Sequence, residues 1–174
     1  RLLILGFASD LIAGQIPSVV TALGNTGEHN FLINALTLLD EEGLGDVLTG
    51  DGSTLFCPDD KAWKKYMKKS LPDLGLSEDL LFKDADRNET LGTLIWLLQY
   101  HTLPTVMRLV RSEEQEIVAT TSLVDHCLLI HVLVDNHVTL PGASHTANLE
   151  QLTLPHSGVS AIHLTDQILL PPGV

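Results

Sequence analysis

The chain has 174 residues, 44% of them hydrophobic and 18% charged, enough to bury one core and too few for two ordinary domains. Twenty-two acidic residues against ten basic ones leave a formal net charge of -12, which excludes a nucleic-acid phosphate backbone as the default partner. The first apolar run, RLLILGF, is interrupted by Gly6 and followed by Asp10 and Gly14, well short of the roughly 20 apolar residues of a membrane span.

That opening stretch carries Leu2, Leu3, Ile4, Leu5, Phe7, Leu11 and Ile12, and reads as an N-terminal arm (residues 1–15) ahead of one domain over residues 16–174. Its short apolar core fits either a processed chain or the remnant of a signal sequence. From Ile16 apolar residues recur at helical spacing through Val19, Val20 and Leu23, and again through Phe31, Leu32, Ala35, Leu36 and Leu39. Gly24-Asn25-Thr26-Gly27 is a turn signal between the two runs, so two helices are expected. The second ends in Asp40-Glu41-Glu42 before Gly43, and a short helix over GDVLTG leads to a turn at Gly50-Asp51-Gly52.

Thr54 to Cys57 is a short strand that stops at Pro58, and Asp59 is placed to cap a helix starting near Asp60, where a carboxylate accepts unpaired backbone N–H groups. On that helix Lys61, Lys64, Lys65, Lys68 and Lys69 share one face, opposite Trp63, Tyr66 and Met67. A run of this kind serves solubility as a solvated face, and it also offers a dock for an acidic partner or anionic lipid headgroups. Ser77 caps a further short helix within residues 71–81, and Lys83 to Asn88 forms an exposed connection. The triplet Asn88-Glu89-Thr90 permits N-glycosylation on a secretory route. Glu89 to His101, with Leu91, Leu94, Ile95, Trp96, Leu97 and Leu98, is the most hydrophobic helix and is expected to be buried on most sides.

After Pro104 the texture changes. Ile117–Thr121, Cys127–Val134, Val138–Leu140 and Ile162–Leu170 are strands by their aliphatic and β-branched content, with Asp135-Asn136-His137 as a hairpin turn. The class is α+β. Cys57 and Cys127 form no CxxC; they could pair as a disulfide if their strands are neighbours, or remain buried free thiols. His126, Cys127 and His131 lie close in sequence, but positions 126 and 131 fall on opposite faces of a strand, and a transition metal needs three or four convergent ligands. There is no G-x-S-x-G elbow, P-loop, G-x-G-x-x-G or EF-hand loop. No catalytic residue, metal or cofactor is assigned.

Three segments in order, TLFCPDDKAW, LLQYHTLP and SGVSAIHLTDQILLPP, resemble the fasciclin domain family, and the resemblance spans Ile16 to Pro172. Two features depart from the family pattern: Cys57 replaces a small apolar residue, and Ser160-Ala161 lengthens the interval from Gly158 to His163, where a bulge is expected. The resemblance implies a fasciclin-like fold, with N-terminal helices packed on a β-sheet wedge or sandwich formed mainly by the C-terminal half. It makes Phe56 and Trp63 buried scaffolding and leaves His101 and His163 to bond a backbone carbonyl or a neighbouring acid. Tyr100-His101 stands where the family commonly has a Tyr-His pair, in a region implicated in adhesion in some fasciclin proteins. The implied function is a non-enzymatic protein-interaction or adhesion module in an extracytoplasmic setting, secreted, at a cell surface or in an organelle lumen such as the thylakoid lumen. An exposed arm with Leu3 and Phe7 would anchor it as a peripheral subunit of a larger membrane-associated assembly. The alternative is a carrier of an apolar small ligand such as a carotenoid or lipid.

Overall fold

In the computed structural model the described residues are 15–43, 53–69, 87–107, 114–132, 138–141, 146–151 and 161–171. The arm with Leu3 and Phe7, the expected helices at GDVLTG and within 71–81, and the Asp135-Asn136-His137 turn lie outside them.

The two helical repeats form α1 (Gln15–Gly24) and α2 (Asn30–Glu41). The intervening turn places Gly27 at φ 70°, and Gly43 takes the same value beyond the end of α2, a conformation that costs glycine little and other residues more. Leu32, Ala35, Leu36 and Leu39 are buried along one stripe of α2, the spacing that lays a helix against a core. Next come β1 (Thr54–Pro58), α3 (Asp60–Lys69) and α4 (Arg87–Tyr100). α4 begins within the stretch expected to be a connection, so Arg87 and Asn88 belong to its first turn. The remaining elements are β2 (Thr102–Leu103), β3 (Gln115–Thr120), β4 (Cys127–Val132), β5 (Val138–Pro141), β6 (Thr146–Gln151) and β7 (Ala161–Thr165).

Among the described residues the strands form a seven-stranded sheet in the order β2-β1-β7-β6-β5-β4-β3. Neighbours are antiparallel except β1 and β7, which run parallel with Thr54 opposite Ala161 and Pro58 opposite Thr165. Every residue of these two strands is buried, as expected where a parallel pair is covered on both faces. Leu55, Cys57, Ile162 and Leu164 point into a core shared with all four helices. Phe56 points the other way, into a second core with Tyr100, Leu103, Ala119, Leu128, Ile130, Val132, Ala147 and Leu169. Alternation along β1 thus divides one strand between two cores.

The second core draws on strands near both ends of the sheet, so the sheet folds over on itself as a wedge. Its ends meet just beyond β3, where the Ser122 N–H donates to the Thr102 carbonyl at 2.7 Å and the Leu123 N–H to that of Gln99 at 3.2 Å. This is the α+β arrangement expected from the sequence, with one refinement: β1, from the N-terminal half, lies between β2 and β7.

Two strands were not expected. β6 reads TANLEQ and lacks the β-branched texture of its neighbours, and β2 has only two residues. Conversely, β7 ends at Thr165, not Leu170. Ile168 and Leu170 pack into the helical core and Leu169 into the second core as an irregular tail. The register shift of the sheet lies on β6, between Leu149 and Gln151, while β7 keeps an unbroken register against β1. Cys57 and Cys127 are free thiols and form no disulfide. Their strands are separated by β7, β6 and β5; Cys57 is buried and Cys127 exposed. Among the described residues no helix is long and apolar enough to cross a membrane.

Candidate functional site

The site is built on α3, and its foundation is a pair of carboxylates at the β1–α3 junction. Asp59, buried at the end of β1, accepts the Ala62 N–H at 2.6 Å through Oδ1, the capping bond its position predicted. Asp60 serves a different helix. Its Oδ1 accepts the Phe31 N–H at 2.9 Å, its Oδ2 accepts the Asn30 side-chain amide at 3.0 Å, and its own N–H donates to the Glu28 carbonyl at 2.7 Å. His29 occupies the N-cap position of α2 without a side-chain capping bond, so Asp60 caps α2 from outside while opening α3. Partial burial pushes its carboxyl upward, but the hydrogen bonds from Phe31 and Asn30 and the nearness of His29 prevail and hold it below the usual carboxylate range.

Four side chains then fix the orientation of α3. Ala62, Trp63, Tyr66 and Met67 are all buried in the helical core, with the Trp63 ring stacked on Phe31 at 4.3 Å and edge-on to Tyr66 at 6.4 Å. The opposite face presents Lys61, Lys64, Lys65 and Lys68, all exposed. Lys65 Nζ donates to Gln167 Oε1 at 2.8 Å. Lys69 belongs to the same helix. The result is a row of ammonium groups on a rigid frame, carried by a chain of net charge -12.

Tyr100 and His101 are held differently. They are 2% and 0% exposed, which leaves no surface for the direct contact considered for them. His101 is a three-way clamp. Its Nε2 accepts the Leu169 N–H at 2.9 Å, so the ring proton sits on Nδ1 and is donated to the Leu97 carbonyl at 2.9 Å. Its own carbonyl accepts the Phe56 N–H at 2.9 Å. The end of α4, strand β1 and the C-terminal tail are thereby joined through one neutral ring, and burial lowers its pKa to about 4 against the bond to Leu97. His163 Nε2 donates to the Met107 carbonyl at 2.9 Å, and burial lowers its pKa as well. Both histidines make the expected carbonyl bond. The Tyr100 hydroxyl donates to the Cys127 carbonyl at 3.4 Å.

His29 was not singled out by sequence reasoning. The Thr26 hydroxyl donates to the Leu23 carbonyl at 2.7 Å and its oxygen lies 2.7 Å from His29 Nδ1. Burial lowers the pKa of His29, opposed by Asp59, Asp60, the Cys57 carbonyl and Glu28. The cue was its place between a turn and a helix, at the N-cap position of α2. Among the described residues no group of three or more His, Cys, Asp or Glu side chains is arranged to hold a metal ion. Asn88 lies in the first turn of α4.

The fasciclin domain family model matches residues 32–171. Among solved structures, a FAS1 domain pair from the insect cell adhesion molecule fasciclin I is similar in fold, with a TM-score of 0.58 at 16% sequence identity. The match covers 83% of this chain and 46% of that one, so it takes in a little under half of the neighbour's length. Comparison with curated proteins gives no match.

Proposed function

The chain belongs to the fasciclin domain family, and we propose that it works as a non-enzymatic interaction module that binds an acidic protein partner through the outer face of α3. The observation that carries this reading is the contrast between the two sides of that helix. Trp63, Tyr66 and Met67 lock it to the core, while Lys61, Lys64, Lys65 and Lys68 face solvent. Because the chain as a whole is acidic, a negative partner is repelled elsewhere and attracted locally, which orients the encounter. The fold neighbour, fasciclin I, is a cell adhesion molecule. An interaction role in an extracytoplasmic setting accords with that.

The test uses immobilised poly-L-glutamate as the acidic probe and a Lys61→Glu/Lys64→Glu/Lys68→Glu variant. Wild type should bind, more weakly as salt rises through the screening range, and the variant should lose at least about tenfold in affinity. Equal binding by the two proteins overturns the reading. Binding to phosphatidylserine vesicles without binding to poly-L-glutamate overturns it in favour of a lipid surface.

A further inference from the structure

We infer that the open edge of β3 pairs with the β3 strand of a second copy of this chain, antiparallel and about a two-fold axis at Val118. Among the described residues β3 terminates the sheet and pairs only with β4, in unbroken register from Gln115 opposite Val132 to Thr120 opposite Cys127. The other end of the sheet is the two-residue β2, and its Thr102 carbonyl is already taken by Ser122. Thus β3 is the long edge among the described strands.

Its open hydrogen-bonding positions follow from one bond. The Thr121 N–H donates to the His126 carbonyl at 3.0 Å, which continues the β3–β4 register one pair further. Antiparallel ladders alternate between bonded and non-bonded pairs. Residues 115, 117 and 119 therefore exchange bonds with β4, and the N–H and C=O groups of Glu116, Val118 and Thr120 point away from it. Among the described residues these outward groups have no partner. Edge strands are ordinarily guarded by a bulge, a lysine or a proline. β3 reads QEIVAT, with none of the three. Instead Val118 is 67% exposed in its middle, and Val124, in the turn that joins β3 to β4, is 77% exposed.

A second copy fits this edge in a definite register. With the axis at Val118, the outward groups of Val118 meet those of Val118 in the second copy, and Glu116 lies opposite Thr120. Each outward donor then finds an acceptor. The two valines form an apolar cross-strand pair, and no like charges are opposed. An axis at Glu116 would instead set that carboxylate against its own copy. Glu116 also lies 3.0 Å from His131 Nε2 on β4, at ion-pair distance though without hydrogen-bond alignment, and this contact draws its charge toward its own sheet. Two copies of net charge -12 repel each other, so salt should strengthen this dimer. Binding through the α3 lysines has the opposite salt dependence, so the two proposals fail independently.

The test is sedimentation of the full chain over a range of concentrations at low and high salt, joined to cross-linking in a Cys127→Ser background. Across a bonded antiparallel pair the Cα atoms lie about 5.5 Å apart, within disulfide reach, so Val118→Cys should oxidise to a covalent dimer. Thr120→Cys should not, because its two copies are offset by roughly 14 Å along the strands. Val118→Pro removes an outward N–H without touching the β4 ladder and should abolish the dimer at unchanged Tm. Should Val118→Pro lower the Tm, Val118→Lys, which sets like charges at the axis, must also abolish the dimer. A monomer at every concentration and salt overturns the inference, as does equal cross-linking through positions 118 and 120, or a dimer that survives Val118→Lys.

Discussion

Replacing His101 by Gln removes a group that folding forces into its neutral form. In the native chain His101 has a pKa of about 4, against an ordinary value of 6.5. Below pH 6.5 the unfolded chain therefore takes up a proton that the folded chain refuses. The stability this ring contributes is full above pH 6.5 and is lost as the pH falls toward 4. From these two values, acidification from pH 7 to pH 5 costs about 2 kcal/mol through this residue alone, and about 3 kcal/mol once the whole window is crossed. Gln keeps a donor and an acceptor but does not titrate. Its imperfect reach to Leu97 and Leu169 should cost about 1–3 kcal/mol at neutral pH, while its further loss on acidification should be about 2 kcal/mol smaller than that of the wild type. His29 and His163, whose pKa values burial also lowers, are present in both proteins and cancel in the difference. Urea denaturation of both proteins across this range measures it. Parallel stability profiles would refute the assignment of a neutral, clamping His101.

Asp59→Ala should destabilise the domain by about 1 kcal/mol, the usual worth of a helix cap, read from the urea midpoint at unchanged slope. A thiol reagent under native conditions should label Cys127, which is exposed, and leave Cys57 untouched until urea unfolds the chain. Cys57 is buried, and burial pushes its thiol pKa far upward. Rapid labelling of both in the folded protein would count against the described core.

Much of this architecture was legible where one local signal coincided with one structural event. The Gly24-to-Gly27 interruption divides α1 from α2, and Pro58-Asp59 turns a strand into a capped helix; both are decided by residues adjacent in the chain. What escaped was decided at a distance. β6 is a strand because β5 and β7 flank it, not because TANLEQ favours one, and tertiary context overrides weak propensity. The stretch from Ile168 to Leu170 is apolar enough for a strand, yet the Leu169 N–H is claimed by His101, so the ladder stops. The lysine face was readable from spacing alone, because helix geometry turns positions three and four apart into one surface. The role of Asp60 was not, since the helix it caps begins thirty positions earlier, at Asn30. The open edge of β3 was hidden for the same reason: a strand's place in the sheet is a property of the whole topology.

The parallel union of β1 with β7 also sets a timetable. Thr54 is opposite Ala161, so during synthesis β1 emerges from the ribosome long before the strand it needs. At about 5–20 residues per second the wait is on the order of ten seconds, during which Leu55, Phe56 and Cys57 have no parallel partner to cover them. Contacts of such sequence separation also form slowly once both strands are present. Among the described strands, a chain released between Leu103 and Ala161 is left with β2 as the only neighbour of β1.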